Sequence, residues 1–408
     1  MSSEKQQLPK PKRRWFQLRL RTLLVLVTLA SVLLSWVGWE LDQRRREKVA
    51  IAWVEEMRGQ VFFGSVEIGG FLSSDPETSW WKKTKDTLFG ESVHYFNLGN
   101  TKVSGLSPLA NMKNLRVLYL GQTEVSDLAP LAGLKNLRQL VLDDVQVSDL
   151  SLLADMKNLE CLSFDRAPVS DLSPLAGLKK LKALYLNQTE VSDLSPLAGM
   201  KNLKYLWLGY TQVSDLSPLA GMENLERLYF HKTEVSDLSH MANMKNLKRL
   251  GFSKTEVSDL SPLAGMENLE ELYLDQTEVS DLSPLAGMKN LKYLWLDQTE
   301  VSDLSPLADM KKLVRLYLDQ TEVSDLSPLA DMKNLKYLYL DQTEVSDLSP
   351  LADMKKLVQL YLDQTEVSDL SPLAGMKYLR GLSLEGTKVS EEQIEQLQLA
   401  LPKCKISR

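Results

Sequence analysis

Histidine and cysteine are the side chains that most readily mark a reactive centre. An imidazole exchanges protons near neutral pH or binds a metal, and a thiolate is a nucleophile and a metal ligand. The 408-residue chain holds three histidines, His94, His231 and His240, and two cysteines, Cys161 and Cys404. They are scattered. No cysteine–histidine pair, Ser-His-Asp set, zinc spacing or phosphate-binding glycine loop stands out around them. Aspartate and serine are plentiful in the phrase "VSDLS", and such oxygens could imitate metal ligands. The phrase returns every 22 residues, however, which fits turn chemistry repeated for structure. An enzyme would gather unlike polar groups at one place, and this chain repeats like groups at many. It reads as non-enzymatic, with no catalytic residue, no metal site and no cofactor.

The elements behind this recurrence come from the repeat itself. "LYLDQTEVSDLSPLADMKKL", Leu338 to Leu357, comes round again and again with small changes. Leucines step by 22 residues from Leu118 to Leu382, and the series extends back to Phe96 and forward to Cys404, giving fifteen equivalent positions. A fixed period between about 20 and 50 residues marks a solenoid, in which each unit buries its apolar face only against its neighbours. One long stacked domain is therefore expected instead of two or three ordinary ones.

One period, Leu291 to Lys312, reads "LKYLWLDQTEVSDLSPLADMKK". From Tyr293 to Asp297 the residues alternate as a strand requires, with Leu294 and Leu296 inward and Tyr293 and Trp295 outward. Val301, Leu304 and Leu307 complete the interior of the coil. Thr299 marks the turn off the strand, where its hydroxyl can bond loop backbone. Ser305-Pro306 fits the start of a short 3-10 turn, with the serine oxygen accepting from an open N–H. The opening L-x-x-L-x-L-x-x-T-x-V is the leucine-rich repeat pattern with threonine in place of asparagine. Over residues 93–408 the sequence resembles bacterial leucine-rich repeat proteins of the 22-residue internalin type. The N-terminal "KRRWFQLRLRTLLVLVTLASVL" resembles single-span, membrane-anchored bacterial repeat proteins. The fold class implied is α/β: a leucine-rich repeat solenoid with a parallel concave β-sheet and short 3-10 turns on the convex back, preceded by a transmembrane helix.

The outward columns of that sheet supply the candidate binding residues. One column holds Tyr185, Trp207, Tyr229, Gly251, Tyr273, Trp295, Tyr317, Tyr339 and Tyr361. Its neighbour includes Tyr205, Arg227, Arg249, Glu271, Tyr293, Arg315 and Tyr337, and aspartates such as Asp297, Asp319 and Asp341 lie at the strand ends. Tyrosine, tryptophan and arginine anchor interfaces. Aromatic faces beside carboxylates also suit sugars. The candidate concave-face site is Tyr205, Trp207, Tyr293, Trp295, Asp297, Arg315, Tyr317, Asp319, Tyr337, Tyr339 and Asp341. Its expected ligand is a protein or an envelope polysaccharide. The competing reading is a stripe that only stabilises the sheet, because tyrosine is also a good strand former.

Net charge is -6, and the totals give no basic face for nucleic acid. The basic residues gather at the start, where Lys5, Lys10, Lys12, Arg13, Arg14, Arg19 and Arg21 accompany one acid, Glu4. Thr22 to Trp39 carries no charge. Eighteen residues at about 1.5 Å each nearly match a hydrocarbon core of about 30 Å, and Trp36 and Trp39 suit the interface. No small-x-small cleavage site follows, so an uncleaved anchor in the lipid bilayer is expected. The more basic N-terminal flank places the tail in the cytoplasm and the repeats outside, although Arg44, Arg45, Arg46 and Lys48 lie on the far side.

The expected organisation is a basic tail at 1–21, a transmembrane helix at 22–39, a juxtamembrane helix and N-terminal cap at 40–92, repeats at 93–390 and a C-terminal cap at 391–408. The first cap includes a helix over Leu41–Met57 stopped by Gly59, and a second segment from Ser74 to Gly90 whose Trp80, Trp81, Thr84, Leu88 and Phe89 cover the first rung. At the other end Glu391 to Leu401 reads as a helix. Leu401, Cys404 and Ile406 then fall on the rung positions of Leu379, Leu382 and Leu384. Cys161 and Cys404 sit many rungs apart, too far to be bridged.

Overall fold

The computed structural model describes residues 20–63 and 93–408. The tail before Leu20 and the expected capping segment Ser74–Gly90, with Trp80 and Trp81, lie outside the described residues. The order of elements is a long helix α1 (Leu20–Glu56), a strand β1 (Gln60–Phe63), and fifteen further strands from β2 (Val93–Asn97) to β16 (Lys405–Ser407). A 3-10 turn follows each strand from β2 to β14, and the helix α2 (Glu391–Ala400) precedes β16. All sixteen strands form one sheet in sequence order. β1 runs antiparallel to β2, and from β2 onward every pairing is parallel.

The register is the repeat made visible. β11 (Tyr293–Trp295) pairs Tyr293 with Arg315, Leu294 with Leu316 and Trp295 with Tyr317 of β12 (Arg315–Tyr317), so partners differ by the sequence period. Leu291, Leu294, Leu296, Val301, Leu304, Leu307 and Met310 are each at most 1% exposed and belong to one continuous core. That core runs from Ala50 and Val54 of α1 to Leu401 and Cys404.

The Thr299 hydroxyl bonds backbone as expected, donating to the Leu296 carbonyl three residues back at 2.6 Å and closing its own turn. Two local expectations are corrected. The Ser305 hydroxyl does not accept an N–H at the 3-10 turn. Asp303 does: one of its oxygens takes the Ser305 N–H at 2.8 Å and the other takes the Ser305 hydroxyl at 2.7 Å. These bonds hold the Asp303 carboxyl below its usual range, and they explain "VSDLS" without a metal. At the C-terminus Leu382 pairs with Ile406, not Cys404, because the helical back segment is longer than a normal one. Cys404 remains buried in the core just before β16.

The N-terminal helix is also not divided at residue 39. α1 is continuous for 37 residues. Gly38 alone costs about 1 kcal/mol of helix propensity, and the charged stretch after it supplies helical pairs: Glu40–Arg44 at 3.4 Å and Asp42–Arg46 at 2.8 Å. The first part of α1 leaves its apolar side chains open, from Leu23 at 47% to Leu34 at 71%. The last part covers the first rung with Ala50 and Val54, both fully buried. Glu47 reaches Asn114 at 3.1 Å. α1 ends where Arg58 turns left-handed (φ 62°) and the Gly59 N–H donates to the Val54 carbonyl at 2.8 Å. Gly59 lies so close to β2 that a Cβ would fall 2.8 Å from Leu98 and 2.9 Å from the Asn97 carbonyl.

Candidate functional site: the concave aromatic face

The strand alternation that sends Leu294 and Leu316 inward turns the Tyr293 and Trp295 columns out onto the concave face. Parallel in-register pairing then sets each outward ring beside the ring one rung away. Tyr273 and Trp295 stack at 3.9 Å between centroids, Trp295 and Tyr317 at 5.1 Å, Tyr317 and Tyr339 at 4.2 Å, and Tyr339 and Tyr361 at 4.6 Å. The planes lie within 15° of one another in all four pairs. Toward the N-terminus Trp207 lies between Tyr185 at 4.3 Å and Tyr229 at 5.5 Å. The two aromatic columns touch where Tyr205 meets Trp207 and where Tyr293 meets Trp295.

Gly251 interrupts the ring column, and His231 fills the gap. A Cβ on Gly251 would meet His231 at 2.5 Å and Tyr229 at 2.7 Å. The imidazole contacts Tyr229 and, edge-on, Tyr273. Burial pushes its pKa down. The position on the strand-end rim was readable from the sequence. The repair of a gap one rung further on was not, although Gly251 as the only glycine in an aromatic column was its signal.

Arg315 joins the patch as a cation between rings. Its guanidinium lies 5.6 Å from the Tyr293 centroid and 4.7 Å from that of Tyr337, a cation–π arrangement on both sides. Arg227 sits over Tyr205 at 5.2 Å, and Arg249 pairs with Glu271 at 3.1 Å. The half-buried cluster Tyr293, Trp295, Arg315, Tyr317, Tyr337 and Tyr339 is therefore contiguous over β11, β12 and β13 (Tyr337–Tyr339).

The aspartate column has a task inside the solenoid. Asp297 accepts the Asp319 N–H at 2.9 Å, Asp319 accepts that of Asp341 at 2.8 Å, and Asp341 accepts that of Asp363 at 2.7 Å. Each carboxylate thus ties its strand end to the next rung. Burial pushes Asp297 up to about 7 and Asp341 up to about 6, and Asp319 is raised as well. The three expected site carboxylates stand beside the rings, with one oxygen each occupied by backbone.

The side chains most suited to covalent chemistry are shielded. Cys161 lies buried on the concave face near Asp143, and burial pushes its thiol up to about 12. Cys161 and Cys404 are both free thiols. Among the described residues no group of three or more His, Cys, Asp or Glu could hold a metal ion.

The family model "Leucine Rich repeats (2 copies)" matches residues 179–221, 201–243, 245–287, 267–309 and 333–375. This is a leucine-rich repeat protein. A comparison with curated proteins found no match. The leucine-rich repeat protein is similar in structure to an internalin (inlF) from Listeria monocytogenes, with TM-score 0.68 and 29% identity over 71% of this chain and 86% of that one. It shares its fold with the ectodomain of the receptor kinase GASSHO1/SCHENGEN3 from Arabidopsis thaliana, solved in complex with CASPARIAN STRIP INTEGRITY FACTOR 2. That match has TM-score 0.62 and 19% identity, over 74% of this chain and 39% of that one. It also shares its fold with the protein of a TLR13–ssRNA13 complex, with TM-score 0.56 and 18% identity, over 76% and 53% of the two chains.

Proposed function

We propose that this leucine-rich repeat protein is a membrane-anchored, non-enzymatic binding protein. Its solenoid stands outside the cytoplasm and presents Tyr293, Trp295, Arg315, Tyr317, Tyr337 and Tyr339 to a protein ligand. The observation that carries the binding role is the contiguity of that half-buried patch across three strands, in residue types that anchor interfaces. A protein ligand is favoured over a polysaccharide because neighbouring rings already cover the ring faces that a sugar would stack on. The half-buried rings still offer their edges, beside an Arg315 guanidinium held between Tyr293 and Tyr337. The strand-end carboxylates do not favour a nucleic-acid backbone. The anchor reading is supported by the exposed apolar half of α1, which is long and apolar enough to cross a membrane.

A structural reading competes on a specific observation: the stack runs past the patch, unbroken from Tyr273 to Tyr361. Such pairs contribute about 0.5–1.5 kcal/mol each beyond burial, so the column could serve stability alone, as in an envelope-spacing element. Trp295→Ala combined with Tyr317→Ala separates the two. The full chain in detergent is immobilised, and proteins retained from envelope extract are compared with wild type alongside a melting curve. The binding role predicts retention weakened roughly thirtyfold or more, from about 2 kcal/mol at a hot spot. Retention unchanged while melting falls would leave the structural role alone.

A further inference from the structure

The two long edges of the solenoid carry opposite charge. On the edge where strands leave the sheet, the Glu300 column holds nine glutamates between Glu124 and Glu366, and the Asp303 column holds twelve aspartates from Asp127 to Asp369. On the edge where the chain returns to the strands, the Lys311 column is lysine in eleven of thirteen rungs from Lys113 to Lys377, with glutamate only at Glu223 and Glu267. Glu300, Glu322 and Glu344 are exposed, and so are Lys311, Lys333 and Lys355. The net charge of -6 hides this separation.

We infer that the protein associates side by side with further copies of itself, the acidic edge of one solenoid against the basic edge of the next. Charge complementarity identifies the occupant, and the repeat strengthens the identification. Both edges belong to one rigid stack, so their charges recur at the same rung spacing, about 4.8 Å. A second copy shifted sideways without rotation therefore meets most rungs with the opposite charge in register, the rungs of Glu223 and Glu267 excepted. An unrelated basic or acidic partner would match one edge but not the spacing of both. The contact is heterologous, which leaves a free edge of each sign at the two ends of any row and permits open arrays. Several lysines already touch local oxygens, as Lys333 does with the Ala330 carbonyl at 2.8 Å and with Asp331 at 3.8 Å. The attraction is therefore spread along the edge and is not a set of fixed ion pairs. Salt screens it strongly, because the Debye length falls from about 10 Å at 0.1 M to about 3 Å at 1 M. The inference does not rest on the concave site.

The test uses the full chain in detergent, followed by sedimentation at low and high salt. One variant carries Lys289→Glu, Lys311→Glu, Lys333→Glu and Lys355→Glu. The other carries Glu278→Lys, Glu300→Lys, Glu322→Lys and Glu344→Lys. Wild type is expected to form concentration-dependent oligomers at low salt that dissociate at high salt. Each variant alone should stay monomeric, and an equimolar mixture should associate. Zero-length carbodiimide cross-links in wild type should join the lysine column to the glutamate column. Wild type that is monomeric at low salt would overturn the inference. So would oligomers that survive high salt or both substitutions, since these would be held by the apolar half of α1, or cross-links confined to other surfaces.

Discussion

Asp297, Asp319 and Asp341 show how one residue type can carry a task that the sequence does not display. Their column beside a row of rings suggested polar contacts to a ligand, and each also accepts a backbone N–H from the next rung. Asparagine can do the same without charge, and Asn187 already does so, accepting the Gly209 N–H at 2.9 Å. Folding raises the pKa of the ladder carboxyls, with Asp297 at about 7 and Asp341 at about 6. The folded chain therefore holds protons that the unfolded chain releases between about pH 4 and 7. This contribution is fully present below about pH 4 and is lost as pH rises through 6 and 7. The Asp303-type carboxyls act in the opposite sense, since their pKa is lowered and their contribution fades as pH falls below the ordinary range. Denaturant midpoints should thus rise as pH drops from 8 to 5. The triple variant Asp297→Asn, Asp319→Asn, Asp341→Asn should be more stable than wild type at pH 8, with a flatter profile. A triple variant that loses stability at pH 8 would contradict the ladder assignment.

The rung was the most legible element. The inward places of Leu294, Leu296, Val301, Leu304 and Leu307 follow from alternation and period, and all are buried. Leu294→Ala should cost about 2–5 kcal/mol through lost burial and a cavity. Lys292→Ala removes an exposed pairing with Glu270 at 2.7 Å and should cost at most about 1 kcal/mol. Equal losses in chemical denaturation would refute the inward assignment. Backbone conformation was much less legible. Thirteen successive rungs place a non-glycine residue at φ between 52° and 61°, from Asn100 to Gln364. Glutamine does not advertise that conformation, whereas Asn100 at one end and Gly386 (φ 70°) at the other are types that adopt it readily. The last rung was misplaced for a related reason. A strict period cannot register the extra length of α2, so Cys404 was given the place that Ile406 takes.

For the whole molecule, the long period specified a stacked sheet before any single contact was known. It could not reveal which outward columns are filled by their own neighbours, because ring stacking and edge charge arise only when rungs are superposed. The proposed orientation across the membrane rests on the excess of basic residues in the N-terminal tail. After the apolar half of α1, Arg44 meets Glu40 and Glu47, and Arg46 meets Asp42. A reporter active only in the cytoplasm, fused after Arg408, should be silent, and a reporter active only outside should work. The reverse pattern would overturn the proposed orientation.

The continuity of α1 bears on how the solenoid could be carried. The same helix that offers Leu23 to Leu34 to its surroundings packs Ala50 and Val54 into the first rung. Nothing in it resembles a swivel: 37 residues at about 1.5 Å make a strut of roughly 55 Å. An anchored copy would then behave as a mast stepped into the bilayer, its tilt and heading passed on to the concave face. Neighbouring copies would share one handedness and one height above the surface. Their encounters would be confined to sliding and turning within a plane, where far fewer wrong approaches exist than in open solution.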